Sequence, residues 1–498
     1  MTRPVLLTTT AAFALAAGPA LADLTADDVW ASWQATAADS GQQLEVESLA
    51  RAGERLTAEG ITMRMEFPEG EMTTALSQIV FVEQGDGSVR IEVSETYDIN
   101  AQTETPEGEA MSMALTLAHD GLDMVATGDP AAISYAIEAP SLELTLNEMT
   151  VGDEAVDMTL AVAIDALSGT YDVTGADPQT IASALSAGAV AFTMKMSEPE
   201  EGLNMAMSAT LQGMTSTSTG TISPFATGAD TADLLKSGLS TEGTAQYGAS
   251  SYTIDVTTPD GQTVIDGSAE AGAATMSLGA GGLEYGGTAT GVAMNIVAPG
   301  AMMPPVAFEI ASGEGLVRMP LLASEEAQDF ALSMKLDGVS VGEMVWSMVD
   351  PTGGLPRDPA NLELDLSGKG TWLVDVADPE ALAELEAGME APGRLDSVDI
   401  NALRLSAIGA ELTGDGAFTF DNASMPPAPV GAVNLQLVGA NGLIDRLIQI
   451  GLLPEDQAMG ARMMLGLFAR PGDGEDTLMS TIEMKEGGAI IANGQRIR

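Results

Sequence analysis

Period-two alternation is the feature that most restricts what this chain can fold into. In "SVRIEVSETYDI", Val89, Ile91, Val93, Tyr97 and Ile99 share one face, with Arg90, Glu92, Thr96 and Asp98 on the other. "AISYAIEAPSLELTLNEM" does the same with Ile133, Tyr135 and Ile137, then with Leu142, Leu144 and Leu146. "NLELDLSG" repeats it at Leu362, Leu364 and Leu366, and "VNLQLVG" at Val433, Leu435 and Leu437. Strands with one apolar and one wet face belong in antiparallel sheets. Their apolar faces must meet another sheet, a layer of helices or a bound apolar molecule. Punctuation agrees: "GDG" at Gly85–Gly87, Gly414–Gly416 and Gly472–Gly474, and "PDG" at Pro259–Gly261, predict hairpin turns.

Helices are predicted at the two ends. In "LTADDVWASWQATAADSG", Thr25 can cap, Asp27 and Asp28 favour the first turn, and Val29, Trp30 and Trp33 form an apolar stripe. Near the C-terminus, "GLIDRLIQIGLLPEDQAMGARMMLGLF" (Gly442 to Phe468) reads as two short apolar helices. Gly451 stops the first and Pro454 restarts the second at a permitted position. Each is too short to cross a bilayer, so a helical hairpin closing on a sheet is expected. The fold class is mainly β with a few α-helices: large, curved, mostly antiparallel sheet covered by short helices, the C-terminal hairpin among them. If the hairpin covers an apolar ligand, Leu443, Leu447, Met459, Met463 and Leu467 line that site; a plain core explains the same residues. "TSTSTGTISPFATGAD" (Thr215 to Asp230) interrupts the strands. It either divides a half at 23–230 from one at 231–498, or is a loop within one continuous domain, 23–498.

Residues 1–22 have the layout of a secretory signal peptide: Arg3, an apolar core from Val5 to Ala17, and Ala20-Leu21-Ala22 before the cut. A periplasmic location is expected, with cleavage after Ala22. No transmembrane segment is expected in the mature chain, and the absence of cysteine rules out a lipid-anchored cysteine and disulfides. The formal net charge of −53 excludes nucleic acid, which needs clustered Lys and Arg, and opposes an anionic membrane surface. No segment has the D-x-[DN]-x-[DN]-G spacing of a calcium loop.

Groups for catalysis are sparse. The lone histidine, His119 beside Asp120, sits where a strand meets a turn and reads as a turn residue. There is no cysteine nucleophile and no G-x-S-x-G elbow, and "GAGGLEYGG" lacks the third glycine of a dinucleotide fingerprint. Zinc lacks its usual ligands. The chain reads as non-enzymatic, without cofactor or metal. Methionine is abundant, with 29 copies, and Met63/Met65, Met111/Met113, Met194/Met196 and Met205/Met207 are Met-x-Met pairs. Thioethers suit Cu(I), but the pairs lie within apolar alternation with no His or Cys beside them, so an ordinary core is the leading reading and an adaptable apolar surface the next.

The segment from Gly431 to Ile497 resembles exported alphaproteobacterial proteins of the domain-of-unknown-function 2125 family. It shares a strand, an apolar helix ending in "GLLP", a second helix and a closing hairpin around "EGG". "MVWSMVDPTGGLPRDPANLELDLSG" (Met344 to Gly368) is similar to the same family through Trp346, Asp350-Pro351 and Leu355 to Ala360. The resemblance implies a periplasmic, β-rich protein of unassigned activity, and carries no catalytic residues. Its plan is similar to that of lipid-handling β-groove proteins such as the AsmA-like group. Two functional expectations result. One is an envelope protein that binds lipid or another apolar ligand in a β-groove. The other is a ligand-free scaffold that engages another envelope protein. An outer-membrane barrel is opposed by an aromatic content of only 4%. A glycan-acting enzyme would need two facing carboxylates.

Overall fold

The computed structural model describes residues 23–498 apart from 68–69, 106–107, 153, 176–177, 223–230, 299–303, 379–380, 382–390 and 424–425. The expected signal segment therefore lies outside the described residues. Helix α1 (Ala26–Asp39) leads into β1 (Gln42–Ala52), β2 (Arg55–Phe67) and β3 (Gly70–Glu83). From there an antiparallel meander continues to the C-terminus, and every described strand belongs to one sheet. The expected mainly-β architecture is what forms.

Several positions in this meander hold two short strands end to end. Val89–Val93 and Thr96–Glu104 both pair with β3, and Ser240–Tyr247 and Ser250–Thr258 both pair with Leu203–Ile222. The strands before and after residues 223–230, which lie outside the described residues, pair directly with one another. Thr215 to Ile222, expected to interrupt the strands, is itself strand. Its hydroxyls find cross-strand partners, Ser218 with Ser183 at 2.8 Å and Thr217 with Thr244 at 2.9 Å, so a polar run is held in the ladder.

The alternation shifts phase in mid-strand. In β2, Leu56 and Ala58 are buried before Gly60, and Ile61 after it is buried on the same side. Gly60 has φ 63°, a left-handed residue among extended ones. Ala166 (φ 52°), Gly213 (φ 62°), Gly291 (φ 59°) and Gly338 (φ 69°) do likewise in their own strands. Neighbouring interruptions face each other. Ala187↔Met214 and Ala189↔Gln212 flank Gly188 and Gly213, while Ser312↔Asp337 and Glu309↔Ser340 flank Ala311 and Gly338. An irregular residue bends and twists its strand, and aligned bends fold a sheet along one line. The sheet is therefore creased across its strands, with the apolar sets on both sides of the crease on one face. Farther on, true register shifts at Leu336/Val339 and Ile400/Leu403 take over this role.

Helices sit at the ends of strands. α2 (Thr231–Ser237) is tied by Lys236 to Asp375 at 2.6 Å. α3 (Glu343–Val349) precedes the strand Ala360–Trp372, and the expected C-terminal pair forms α4 (Ala440–Gln449) and α5 (Glu455–Phe468). Gly451 has φ 80° after α4, as expected, and Pro454 starts α5 from the extended N-cap, one residue before the expected first-turn position. One turn prediction fails. Gly414–Gly416 lies inside the strand Ala410–Asp421. A Cβ at Gly414 would meet the Leu435 side chain at 2.7 Å and one at Gly416 the Ala432 carbonyl at 2.7 Å, so close packing, not a turn, needs these glycines. The sheet's two edges differ. β1 has a strand partner on one side only among the described residues. At the other end, Thr477–Met484 is flanked by the short strands Arg470–Pro471 and Ile490–Ala492.

The crease makes a prediction. A Cβ at Gly338 would sit 2.7 Å from the Ala311 Cβ, at a φ that β-branched residues disfavour. Gly338→Val should cost about 2 kcal/mol, read as a lowered urea midpoint.

Candidate functional site

Among the described residues, a well-buried core lies under α1. Thr25 and Asp28 form a capping box, the Thr25 hydroxyl accepting from the Asp28 N–H and the Asp28 carboxylate from the Thr25 N–H at 3.0 Å. The Glu83 carboxylate accepts from the Ala26 N–H at 2.9 Å and pairs with Arg51 at 2.6 Å, while Arg51 also reaches Asp27. These contacts fix the start of α1 to the β1 and β3 ends. Val29 and Trp30 are then buried, and Trp30 and Trp33 meet the Phe81 ring edge-on at 6.0 and 5.3 Å. Trp33 Nε1 donates to the Tyr135 hydroxyl at 3.1 Å.

The second half of α1 does not fill the face beneath it. A cavity of about 380 Å³ remains, lined on the helix side by Trp30, Trp33, Thr36, Ala37 and Ser40. On the sheet side it is lined mostly by apolar and aromatic residues, among them Ile61, Met63, Tyr97, Tyr135 and Tyr171, with Gln42 polar but no charged side chain. Burial pushes the Tyr97 hydroxyl up to about 12 and raises Tyr135 and Tyr171 as well. Dry, apolar surroundings disfavour the phenolate.

From this cavity an apolar face leads away across the meander. Register partners give an unbroken row: Tyr97, Leu117, Leu144, Val162, Phe192, Ala209, Tyr252, Gly267, Met294, Phe308 and Val341. At about 4.8 Å per interstrand step, the row spans about 48 Å. Beside it run Leu160, Met194, Met207, Ile254, Ile265, Ile296 and Val306. Farther along, Leu336, Leu362, Leu405, Leu412, Leu437 and Leu478 form a rung of leucines. Apart from Gly267, whose space is taken by the Tyr252 ring, none of these residues is buried. Met276, Tyr285, Val317 and Leu332, paired strand to strand, are exposed, Tyr285 by 53%. A monomer seldom leaves so continuous an apolar surface open without a use for it.

The residues expected to line a site at the C-terminal hairpin lie elsewhere. Leu443 and Leu447 are half-buried, whereas Met459 and Met463 are 73% and 72% exposed and Leu467 is exposed beside them. None of the five lines the cavity under α1. α5 is held through buried Ala458, an ion pair from Arg462 to Asp445 at 2.5 Å, and bonds from Ser480 and Asn493 to the Phe468 carbonyl. Those contacts use one side of the helix and turn the methionine row outward. Asp476 caps α4 from outside, accepting from the Asn441 and Gly442 N–H groups at 3.1 and 2.8 Å. Burial pushes its carboxyl up, but those donors outweigh it and leave it lowered.

His119 is engaged with backbone at both ring nitrogens: Nε2 lies 3.0 Å from the Ser94 carbonyl, and Nδ1 accepts from the Leu122 N–H at 3.3 Å. It bridges the breaks in two adjoining strands. The methionine pairs lie on the apolar face, Met194 opposite Met207 and Met196 opposite Met205. No cluster of three His, Cys, Asp or Glu suited to a metal is found among the described residues. No helix there is long and apolar enough to cross a membrane.

Asp350, fully buried, accepts from the Leu355 and Gly354 N–H groups at 2.8 and 2.9 Å, and these bonds hold its carboxyl below the usual range. It thereby knots the loop after α3. A family model described as "Uncharacterized protein conserved in bacteria (DUF2125)" matches residues 249–493, this loop included. Residues 249–493 are thus similar to that family. They take in the far part of the apolar face, α3 and the C-terminal helices; α1 and its cavity precede them. No curated protein and no solved structure matches the chain.

The α1 anchor is pH-dependent. Glu83 is lowered first by the Ala26 N–H and then by Arg51, so its contribution is complete above the ordinary glutamate value and fades as pH falls through the lowered one. Acidification below about pH 4.3 should loosen α1 and red-shift tryptophan emission. Glu83→Gln should show faster hydrogen exchange at Val29 and Trp30 already at pH 7.

Proposed function

We propose that this chain is an exported, periplasmic protein that binds hydrocarbon chains along the creased apolar face, without catalysis. The single observation that carries this reading is the row from Tyr97 to Val341, apolar at every strand it crosses yet left partly open. Protein–protein interfaces are only about 56–65% apolar and carry about one hydrogen bond per 100–200 Å². This row offers a partner no hydrogen-bonding side chain between its two tyrosines, Tyr97 and Tyr252. Acyl or isoprenoid chains need none. Flexible methionines in the neighbouring row let the surface adapt to chains of varied shape. The strong acidity of the whole protein keeps it dispersed in water while that face is occupied or open.

The test uses full-length exported protein. Native mass spectrometry and solvent extraction should find co-purified lipid, and diphenylhexatriene should gain fluorescence on binding the delipidated chain. Phe192→Asp places a charge in the row and should cut dye binding at least fivefold. Thr193→Asp, on the opposite face, should leave it unchanged. Folded wild-type protein with no extractable lipid and no dye response would overturn the proposal.

A further inference from the structure

The cavity under α1 differs in chemistry from the face it opens onto. Most of the face is aliphatic, whereas the cavity gathers two of the protein's 4 tryptophans and three of its 6 tyrosines. Tyr135 has protein partners, Trp33 and Ser32, for its hydroxyl. Tyr97 and Tyr171 line the same cavity, and among the described residues neither hydroxyl makes a hydrogen bond to another residue. A neutral phenol is a hydrogen-bond donor, so each of these half-buried hydroxyls can offer one bond to a bound molecule. The lining has no cation to receive a phosphate or carboxylate and no anion to receive an amine. A charged headgroup is therefore excluded by its own desolvation.

We infer that the cavity is a headgroup site for an uncharged, flat, carbonyl-bearing ring, a quinone-type amphiphile, whose hydrocarbon tail runs out along the row beginning at Tyr97. Aromatic walls stack on a flat ring, the two free hydroxyls donate to its carbonyl oxygens, and the volume of about 380 Å³ accepts one ring with its first few tail carbons. This assignment rests on the hydrocarbon-binding reading above and narrows its substrate class.

The experiment titrates full-length, delipidated protein with decyl-benzoquinone, following quenching of Trp30 and Trp33 over the background of Trp346 and Trp372. Saturable quenching is expected, at least tenfold tighter than that of dodecylphosphocholine measured by competition. Tyr97→Phe/Tyr171→Phe keeps both rings and removes both hydroxyls, so it should fold. It should weaken quinone binding about tenfold and leave diphenylhexatriene binding intact. Equal affinity for the phosphocholine, no saturable quenching, or an unchanged double variant would overturn the headgroup site. Diphenylhexatriene binding reports separately on the apolar face, so failure of the site and failure of the broader reading are distinguishable.

Discussion

A strand with one apolar face creates a debt of burial that a single sheet cannot settle by itself, and the structure is organised around where that burial happens. Under the first half of α1 it is nearly complete: Phe81, Ile61, Ile91 and Val29 are closed off from water. Past α1 the apolar rows continue partly open. The crease makes this tolerable. Left-handed residues at Gly60, Gly213, Gly291 and Gly338 bend their strands at matching positions, so the two wings of the sheet incline toward a shared line. Side chains such as Leu144 and Phe192 are then partly shielded by their neighbours without a second layer.

Much of this was legible in the residues. Alternation gave the strands, and Thr25, Gly451 and Pro454 marked real helix ends. The crease was also visible, in the step from Ile137 to Leu142 that moves the apolar set from odd to even positions. One shifted strand looks like a local irregularity; only register shows the shifts lining up. The glycines at 414 and 416 misled because a turn and a tight cross-strand approach both favour glycine. The methionine row of α5 misled because an apolar stripe does not reveal which side of a helix its anchors use. There, Ala458 and the ends of the helix face inward, and Met459 and Met463 do not.

The cavity was out of reach of sequence patterning for a different reason. Its walls come from α1 and from strands as far apart as Ile61 and Val173, brought together by the meander. Trp33, Tyr97 and Tyr135 each look like ordinary core on their own elements. The stretch similar to DUF2125 begins after all of them. The aromatic head and the near part of the apolar face thus precede that stretch, and one hydrogen-bonded sheet joins them to the far part within it.

The meander also has a direction in time. Nearly every strand pairs with strands next to it in the chain, as repeat units do in a solenoid, and the best-buried nucleus sits at the N-terminal end. A polypeptide emerging N-terminus first can therefore complete that nucleus before its later strands exist, and each new hairpin then finds one ready edge to extend. Assembly becomes a zipper that closes behind the emerging chain, and the short flanking strands at the C-terminal edge are its last teeth.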